Sequence, residues 1–408
     1  MPVYGRVRKL EQLLEETKAE APSKTDDGEK EAVSKKHFRM PKLVLAALIV
    51  SAFMGLLNLI AWKSTAFCDF YTAHIFPVWC ETYGRLTSLL PFSFGELLLV
   101  IAVFGLPLSL VVLAVLVIAL KKSRKRIARV FGYVYLWIFV FVLSVQTLNC
   151  FILYHCSSFA ELNGISHGKY THKQLEELGD ALTVKLNELS TRVKRDSQGR
   201  FVLTADVNET ARKAVEDLGE EFVNLDGFTV RPKPIYFSFF MSQMDLMGLY
   251  MPFSMEANYN NDMYKAKLPN TVCHELAHTK GYIREDEANF ISFMACSRSD
   301  NTDYRYSGYL CAFLKVRGKI FDYASDEKQY EFDSRVSDLV WADVDANRRY
   351  WQSVEEAEDT VFDSETVGEI ADKAMDTSLK MNGVSDGAES YGRMVDLMLG
   401  YYADKGEI

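Results

Sequence analysis

Three apolar runs near the N-terminus constrain this chain more than any other feature. Leu43 to Trp62, Leu97 to Leu120 and Val130 to Cys150 are each uncharged. Each is close to the roughly twenty residues that a helix needs to cross a bilayer core. One such run could be a buried core helix, but three in succession read as membrane spans. Pro107 predicts a kink in the second. Tyr133, Tyr135 and Trp137 lie near the first end of the third, where an aromatic belt belongs. The whole-chain averages, 49% hydrophobic and 25% charged, hide this segregation. Residues 43–150 hold nearly all the long apolar runs, while 160–408 is mixed and acidic.

Orientation follows from Lys and Arg in the short loops. Lys121, Lys122, Arg124, Lys125, Arg126 and Arg129 lie between the second and third spans, whereas 64–96 has only Arg85. The tail 1–42, rich in Lys, Arg, Glu and Asp, reads as cytoplasmic and disordered. It is too long and too acidic for the start of a cleaved signal peptide. An odd number of spans then makes everything after residue 150 extracytoplasmic. The net charge of -9 gives no electrostatic support for a nucleic-acid partner. No span carries a charge in its interior, which disfavours a transport unit.

Residues 64–96 are rich in aromatics, including Phe67, Phe70, Tyr71, Phe76, Trp79 and Tyr83, and are expected to lie along the membrane surface. Residues 151–170, with Gly164, Ser166 and Gly168, read as a linker. Seven cysteines are too few for a disulfide scaffold. Cys68 with Cys80 and Cys296 with Cys311 are candidate bridges, against the alternative of buried free thiols.

The domain 171–408 is expected to be mainly helical α+β with a small sheet. Thr171 to Gln174 fits a capping box ahead of Leu175, Leu178, Leu182, Leu186 and Leu189 at helical spacing. Asp206 and Glu209 start a second helix reaching about Phe222. Ile235–Phe240 and Gly248–Phe253, continuing to Tyr259, read as strands, with Pro252 demoting the second to an edge strand. Most of 320–380 has a helical pattern.

The chemistry is concentrated in His274-Glu275-Leu276-Ala277-His278. Histidines four apart project from one helix face and can share a metal ion. Imidazoles suit zinc, and two of them leave room for a third ligand and a water. Glu275, turned about 100° around the helix, is placed to take a proton from that water as general base. The competing reading is a surface helix with two coincidental histidines. Val272, Leu276 and Ala277 speak for a buried helix, in which neighbouring histidines need partners. Glu285 is the preferred third ligand, because Ala288, Asn289, Ser292 and Cys296 continue its face with small side chains. Glu287 heads a bulkier stripe, and Glu256 is a more distant choice. Gly281 is expected to end the active helix in the left-handed region.

Several stretches together resemble a bacterial membrane-protein family catalogued as domain of unknown function 3810. They are Pro91-Phe-Ser-Phe-Gly-Glu96, Gly248-Leu-Tyr-Met-Pro-Phe-Ser-Met-Glu-Ala-Asn258 and Leu268-Pro. They continue with Cys273-His-Glu-Leu-Ala-His-Thr-Lys-Gly281, Arg284-Glu-Asp-Glu-Ala-Asn-Phe290, Tyr306-Ser-Gly-Tyr309 and Asp386-Gly-Ala-Glu-Ser-Tyr-Gly-Arg393. The resemblance implies a multi-pass bacterial cell-membrane protein with this histidine motif. The motif with Glu285-Asp-Glu-Ala-Asn289 is also similar to the gluzincin peptidases. That likeness implies a zincin-like fold, Glu285 as ligand and Asn289 as a residue orienting a histidine. The six residues between His278 and Glu285 are fewer than is usual there. By the same analogy, the edge strand 248–259 would pair with an extended peptide substrate. Tyr391 and Arg393 are candidate donors to a developing oxyanion.

The expected function is a membrane-tethered, extracytoplasmic zinc peptidase. The alternative is a zinc-binding sensor or scaffold without turnover that signals across the membrane. Because the motif lies well over a hundred residues past the last span, cleavage is expected above the membrane.

Overall fold

The structure, a computed structural model, describes residues 40–166, 170–357 and 393–406, with Glu369, Lys373, Asp376, Thr377 and Lys380 between the last two stretches. The cytoplasmic tail expected over 1–42 therefore lies almost wholly outside the described residues.

Among the described residues, three helices are long and apolar enough to cross a membrane: α1 (Lys42–Ala61), α2 (Phe94–Ala119) and α3 (Arg124–His155). Their side chains face outward, as at Leu59, Phe104 and Ile118, which suggests membrane association. The expected kink at Pro107 takes the form of a π turn over Ile101–Gly105 just before it. The proline lacks an N–H, and its ring crowds the carbonyl four residues back, so a widened turn relieves both problems. Polar contacts tie the helices together: Asn58 Nδ2 donates to Thr147 Oγ1 at 2.9 Å, and Ser109 Oγ lies 2.9 Å from the Tyr135 hydroxyl.

Beyond α3 the principal elements are α4 (His172–Ser190), α5 (Val207–Asp217), β1 (Lys233–Ile235), α6 (Ser238–Gln243), β2 (Gly248–Met251) and β3 (Glu256–Asn260). They continue with α7 (Leu268–Thr279), α8 (Glu285–Arg298), α9 (Thr302–Phe321), α10 (Asp326–Ser334), α11 (Asp338–Glu355) and α12 (Met394–Asp404). The protein is thus mostly helical, with one mixed sheet of order β1-β3-β2 among the described residues. β1 runs parallel to β3 and β2 antiparallel to it, with Tyr250 opposite Ala257.

Local sequence signals explain most of the helices. The Thr171–Gln174 capping box opens α4, which buries Leu178, Leu182, Leu186 and Leu189. Asp206 caps α5 by accepting from the Asn208 and Glu209 amides. α7 and α8 are buried on nearly every side, with Val272, Cys273, Leu276, Ala277, Phe290, Ile291 and Phe293 at zero exposure. Small residues let these helices close up. A Cβ at Gly308 of α9 would fall 2.6 Å from Cys296 Cβ, and Asn270 of α7 donates to Ser292 of α8 at 3.0 Å.

Several expectations need correction. The strand expected over 235–240 ends at Ile235, because Glu96 accepts the Tyr236 and Phe237 amides and the chain turns into α6. The stretch 248–259 is two strands rather than one. Pro252 lies in the turn between them, and of the two β2 is the outer strand while β3 is central. Part of the aromatic segment 64–96 packs on protein: Tyr71, Phe76 and Cys80 are buried in a cluster with Tyr250, Met255 and Ile283, whereas Phe70, Leu89 and Phe92 are exposed. Residues expected as a linker are packed instead, with Ile152, Leu153, Phe159 and Ala160 buried. The polar and glycine signals there mark a short capped helix, Phe159–Asn163, with a Ser158–Glu161 capping box and left-handed Gly164. All seven cysteines are free, so neither candidate bridge forms. The Cys80 thiol donates to the Thr279 carbonyl, and Cys68 to that of Ala61.

A polar seam joins α2 to the sheet. Glu256 accepts from the Phe94 and Gly95 amides at the start of α2, at 3.2 and 2.6 Å, and pairs with Lys233. Lys233 also reaches the Thr87 carbonyl. Glu96 of α2 reciprocates by holding the amides of Tyr236 and Phe237 at 2.9 and 2.8 Å. Both Lys233 and Glu256 are almost fully buried, so each forfeits several kcal/mol of hydration. The full set of partners, with a helix N-terminus among them, offsets that loss.

Candidate metal centre

α7 opens on Leu268-Pro269, where proline's missing N–H costs nothing. It ends before Gly281, whose φ of +100° lies in the region that other residues resist. That turn brings the Tyr282 carbonyl back to His278 Nδ1 at 2.7 Å. A carbonyl only accepts, so Nδ1 carries the proton and the Nε2 lone pair points inward. His278 Nε2 and His274 Nε2 lie 3.1 Å apart.

α8 supplies the third corner. Glu285 Oε2 is 3.1 Å from His274 Nε2, and Oε1 is 3.8 Å from His278 Nε2. Its position in the first helical turn places the carboxylate in the favourable end of the helix dipole. Tetrahedral ligands at the 2.0–2.2 Å typical of zinc sit about 3.3 Å from one another. These separations therefore fit a metal ion held by His274, His278 and Glu285. The ligand atoms of His274, Glu275 and His278 also lie within 4.8 Å of one another, a group that could itself hold a metal ion. Of the two carboxylates Glu285 is the nearer, and Glu275 is already engaged by the backbone of Tyr250. That division leaves Glu275 beside the triangle rather than in it.

Glu275 packs against β2. A Cβ at Gly248 would fall 2.2 Å from Glu275 Oε1, so only glycine leaves room for this carboxylate. Burial pushes Glu275 up to about 8, with the Glu285 charge adding to the effect and His274 opposing it. Burial and the His274 charge push His278 down to about 4. Burial works against the charge on His274, but the Glu285 hydrogen bond and charge outweigh it and raise its pKa. Burial would also raise Glu285, yet its contacts with His274, the His278 charge and Lys315 hold it down at about 2. Two acids and two imidazoles are thus driven apart in a few ångströms, a pattern typical of functional sites.

The other expected residues sit elsewhere. Glu287 is buried and accepts the Phe159 amide at 2.7 Å, with Arg284 at 3.5 Å. Glu256 belongs to the seam. Among the described residues Asn289 Nδ2 has no hydrogen-bond partner, and His278 is oriented by Tyr282 instead. Arg393 donates to Asp286 Oδ2 at 3.0 Å, beside the start of α8. Tyr391 lies outside the described residues.

Two residues escape sequence reasoning. Lys315 of α9 adds its charge to Glu285 and His274. The only sequence signal is a lysine set in the apolar run Phe313-Leu314-Lys315-Val316. Tyr250 stands between the site and the anchor: its ring is 6.1 Å from His278, and its hydroxyl donates to the Asn149 carbonyl of α3 at 3.4 Å. Arg284 makes a parallel link, donating to the carbonyls of Tyr154 and Cys156. The candidate metal centre is therefore separated from α3 by one side chain, Tyr250, nearer than chain length alone suggests.

A model of the family described as "Protein of unknown function (DUF3810)" matches residues 71–399. The chain belongs to that family. The match takes in the second and third apolar helices, the seam and the metal centre together. No curated protein and no solved structure matches the chain.

Proposed function

We propose that this chain is a membrane-anchored zinc peptidase of zincin-like fold with its catalytic domain on the extracytoplasmic side. The observation that carries the reading is the closed triangle of His274, His278 and Glu285 with a second, unliganded carboxylate, Glu275, beside it. Zinc suits a donor set of two imidazoles and one carboxylate, and when bound it supplies Lewis-acid polarisation of a carbonyl and a lowered pKa for water. Glu275 serves as general base, since its burial places its pKa near neutrality, where a proton is both taken and returned. The outer edge of β2 lies beside Glu275 and suits an extended peptide added as a further strand. Tyr391 is the candidate oxyanion donor, and Lys315 supplies a positive field at the site.

A second reading is a zinc-binding sensor without turnover. The Tyr250 and Arg284 links favour it, because they would carry a change at the metal centre straight to α3. One experiment separates the two: full chain in detergent, loaded with zinc, is offered a mixed peptide library. Cleavage supports the peptidase. Bound zinc without turnover of any peptide supports the sensor, and failure to bind zinc defeats both.

A further inference from the structure

Contacts between the apolar helices index how far out each residue lies. Ser109 of α2 meets Tyr135 of α3. About fifteen residues outward from each, at roughly 1.5 Å per residue, Phe94 comes level with Cys150. The Trp62 ring packs on His155 at 4.4 Å, about five residues farther out along α3. Trp62 closes α1, whose 20 residues are just enough to span a bilayer core. The start of α2 therefore lies at the outer boundary of the apolar slab, not above it.

Two segments of the domain are fixed at that level. Tyr236 and Phe237 hang by their amides from Glu96. The β2–β3 turn is held where Asn149 Nδ2 donates to the Pro252 carbonyl at 2.9 Å, and the Phe253 ring lies 6.0 Å from Phe141, deeper along α3. The side chains presented there are large, apolar and bare: Tyr236 is 86% exposed, Phe240 57%, Phe237 46% and Phe239 44%. Leu89 and Phe92, just before α2, are 79% and 51% exposed. Residues 234–253 contain no Lys or Arg, so nothing there is built for anionic headgroups.

We propose that this face is a membrane foot, in which Tyr236, Phe237, Phe239 and Phe240 insert into the outer leaflet. The bilayer is the occupant because the patch continues the lipid-facing surface of α2 and α3, with aromatic rings at the depth where they partition. The domain then rests in the membrane surface instead of standing over it. β2 runs from Gly248, against Glu275, to the turn held by Asn149, so the metal centre lies close to the bilayer. Resting on the hydrolytic reading, the substrates are juxtamembrane stretches of membrane-anchored chains.

The test uses the full chain in lipid nanodiscs with Tyr236→p-benzoylphenylalanine or Phe240→p-benzoylphenylalanine. The control is the same replacement at Tyr330, which is 79% exposed. Irradiation should yield lipid adducts at 236 and 240 at least about tenfold above the control. Adducts no more frequent than the control, or formed with a second copy of the chain rather than lipid, overturn the foot. In the same nanodiscs, a mixed peptide library is offered free in solution or carried on a single apolar helix. The carried form should be cleaved about tenfold faster or more. Equal rates overturn the substrate class and leave the foot standing. Cleavage of neither form overturns the hydrolytic reading and the substrate class with it, while the adducts still decide the foot.

Discussion

Glu256 is a fully buried carboxylate and Glu285 a largely buried one, each at the start of its element, yet their surroundings differ in kind. Glu256 is saturated: one lysine and two helix-start amides meet its two oxygens. Glu285 shares two imidazoles with a second acid, and burial and neighbouring charge push these groups in opposite directions. A settled cluster of charge holds a structure together, whereas an unsettled one is completed by something that binds. The contrast assigns the seam to stability and the site to chemistry, and each assignment can be broken.

The largest effect is expected at the metal ligands. Glu285→Ala should lower zinc affinity by more than the ten- to hundredfold typical of losing an outer partner, while Glu287→Gln leaves it nearly unchanged. Competition against a colorimetric chelator reads both, and equal losses would erase the distinction between them.

Lys233→Met strands Glu256 without its cation and should cost about 3–5 kcal/mol of stability. Thermal unfolding of the full chain in detergent measures this, with zinc per folded chain unchanged. Loss of zinc at unchanged stability would mean the two clusters are not separate.

Gly248→Ala forces Glu275 off β2, since the new methyl would sit 2.2 Å from its oxygen. Hydrolysis should fall by about tenfold to a hundredfold with zinc retained. Undiminished cleavage would show that Glu275 needs no such placement.

The smallest effect is the pH dependence of zinc binding. His274 has a raised pKa, so a proton competes with the metal below it. Affinity is full above that pKa and should fall about tenfold per unit as pH drops through it. His278, held near 4, adds competition only in stronger acid. A flat profile across the histidine range would contradict the assigned ligands.

The site was legible in the sequence because its parts are local. His274, Glu275 and His278 fall on one turn, and Glu285 opens a helix whose small face allows close packing. The apolar helices were equally legible, since length and lack of charge suffice. What escaped is made of long-range contacts: Tyr250 with Asn149, Glu256 with Gly95, Cys80 with Thr279. Aromatic residues at 64–96 carry the same composition whether they meet lipid or protein, so Tyr71 and Phe76 were assigned to the wrong surface. Gly164 reads as linker punctuation in the sequence because caps and loops use the same residue types.

The most direct measurement pairs zinc content with peptide cleavage in wild-type chain and Glu275→Gln. The account predicts zinc bound equally in both and hydrolysis only in wild type, reduced by about a hundredfold or more in the variant. Wild-type chain without zinc, or a Gln variant that cleaves as fast, would contradict it.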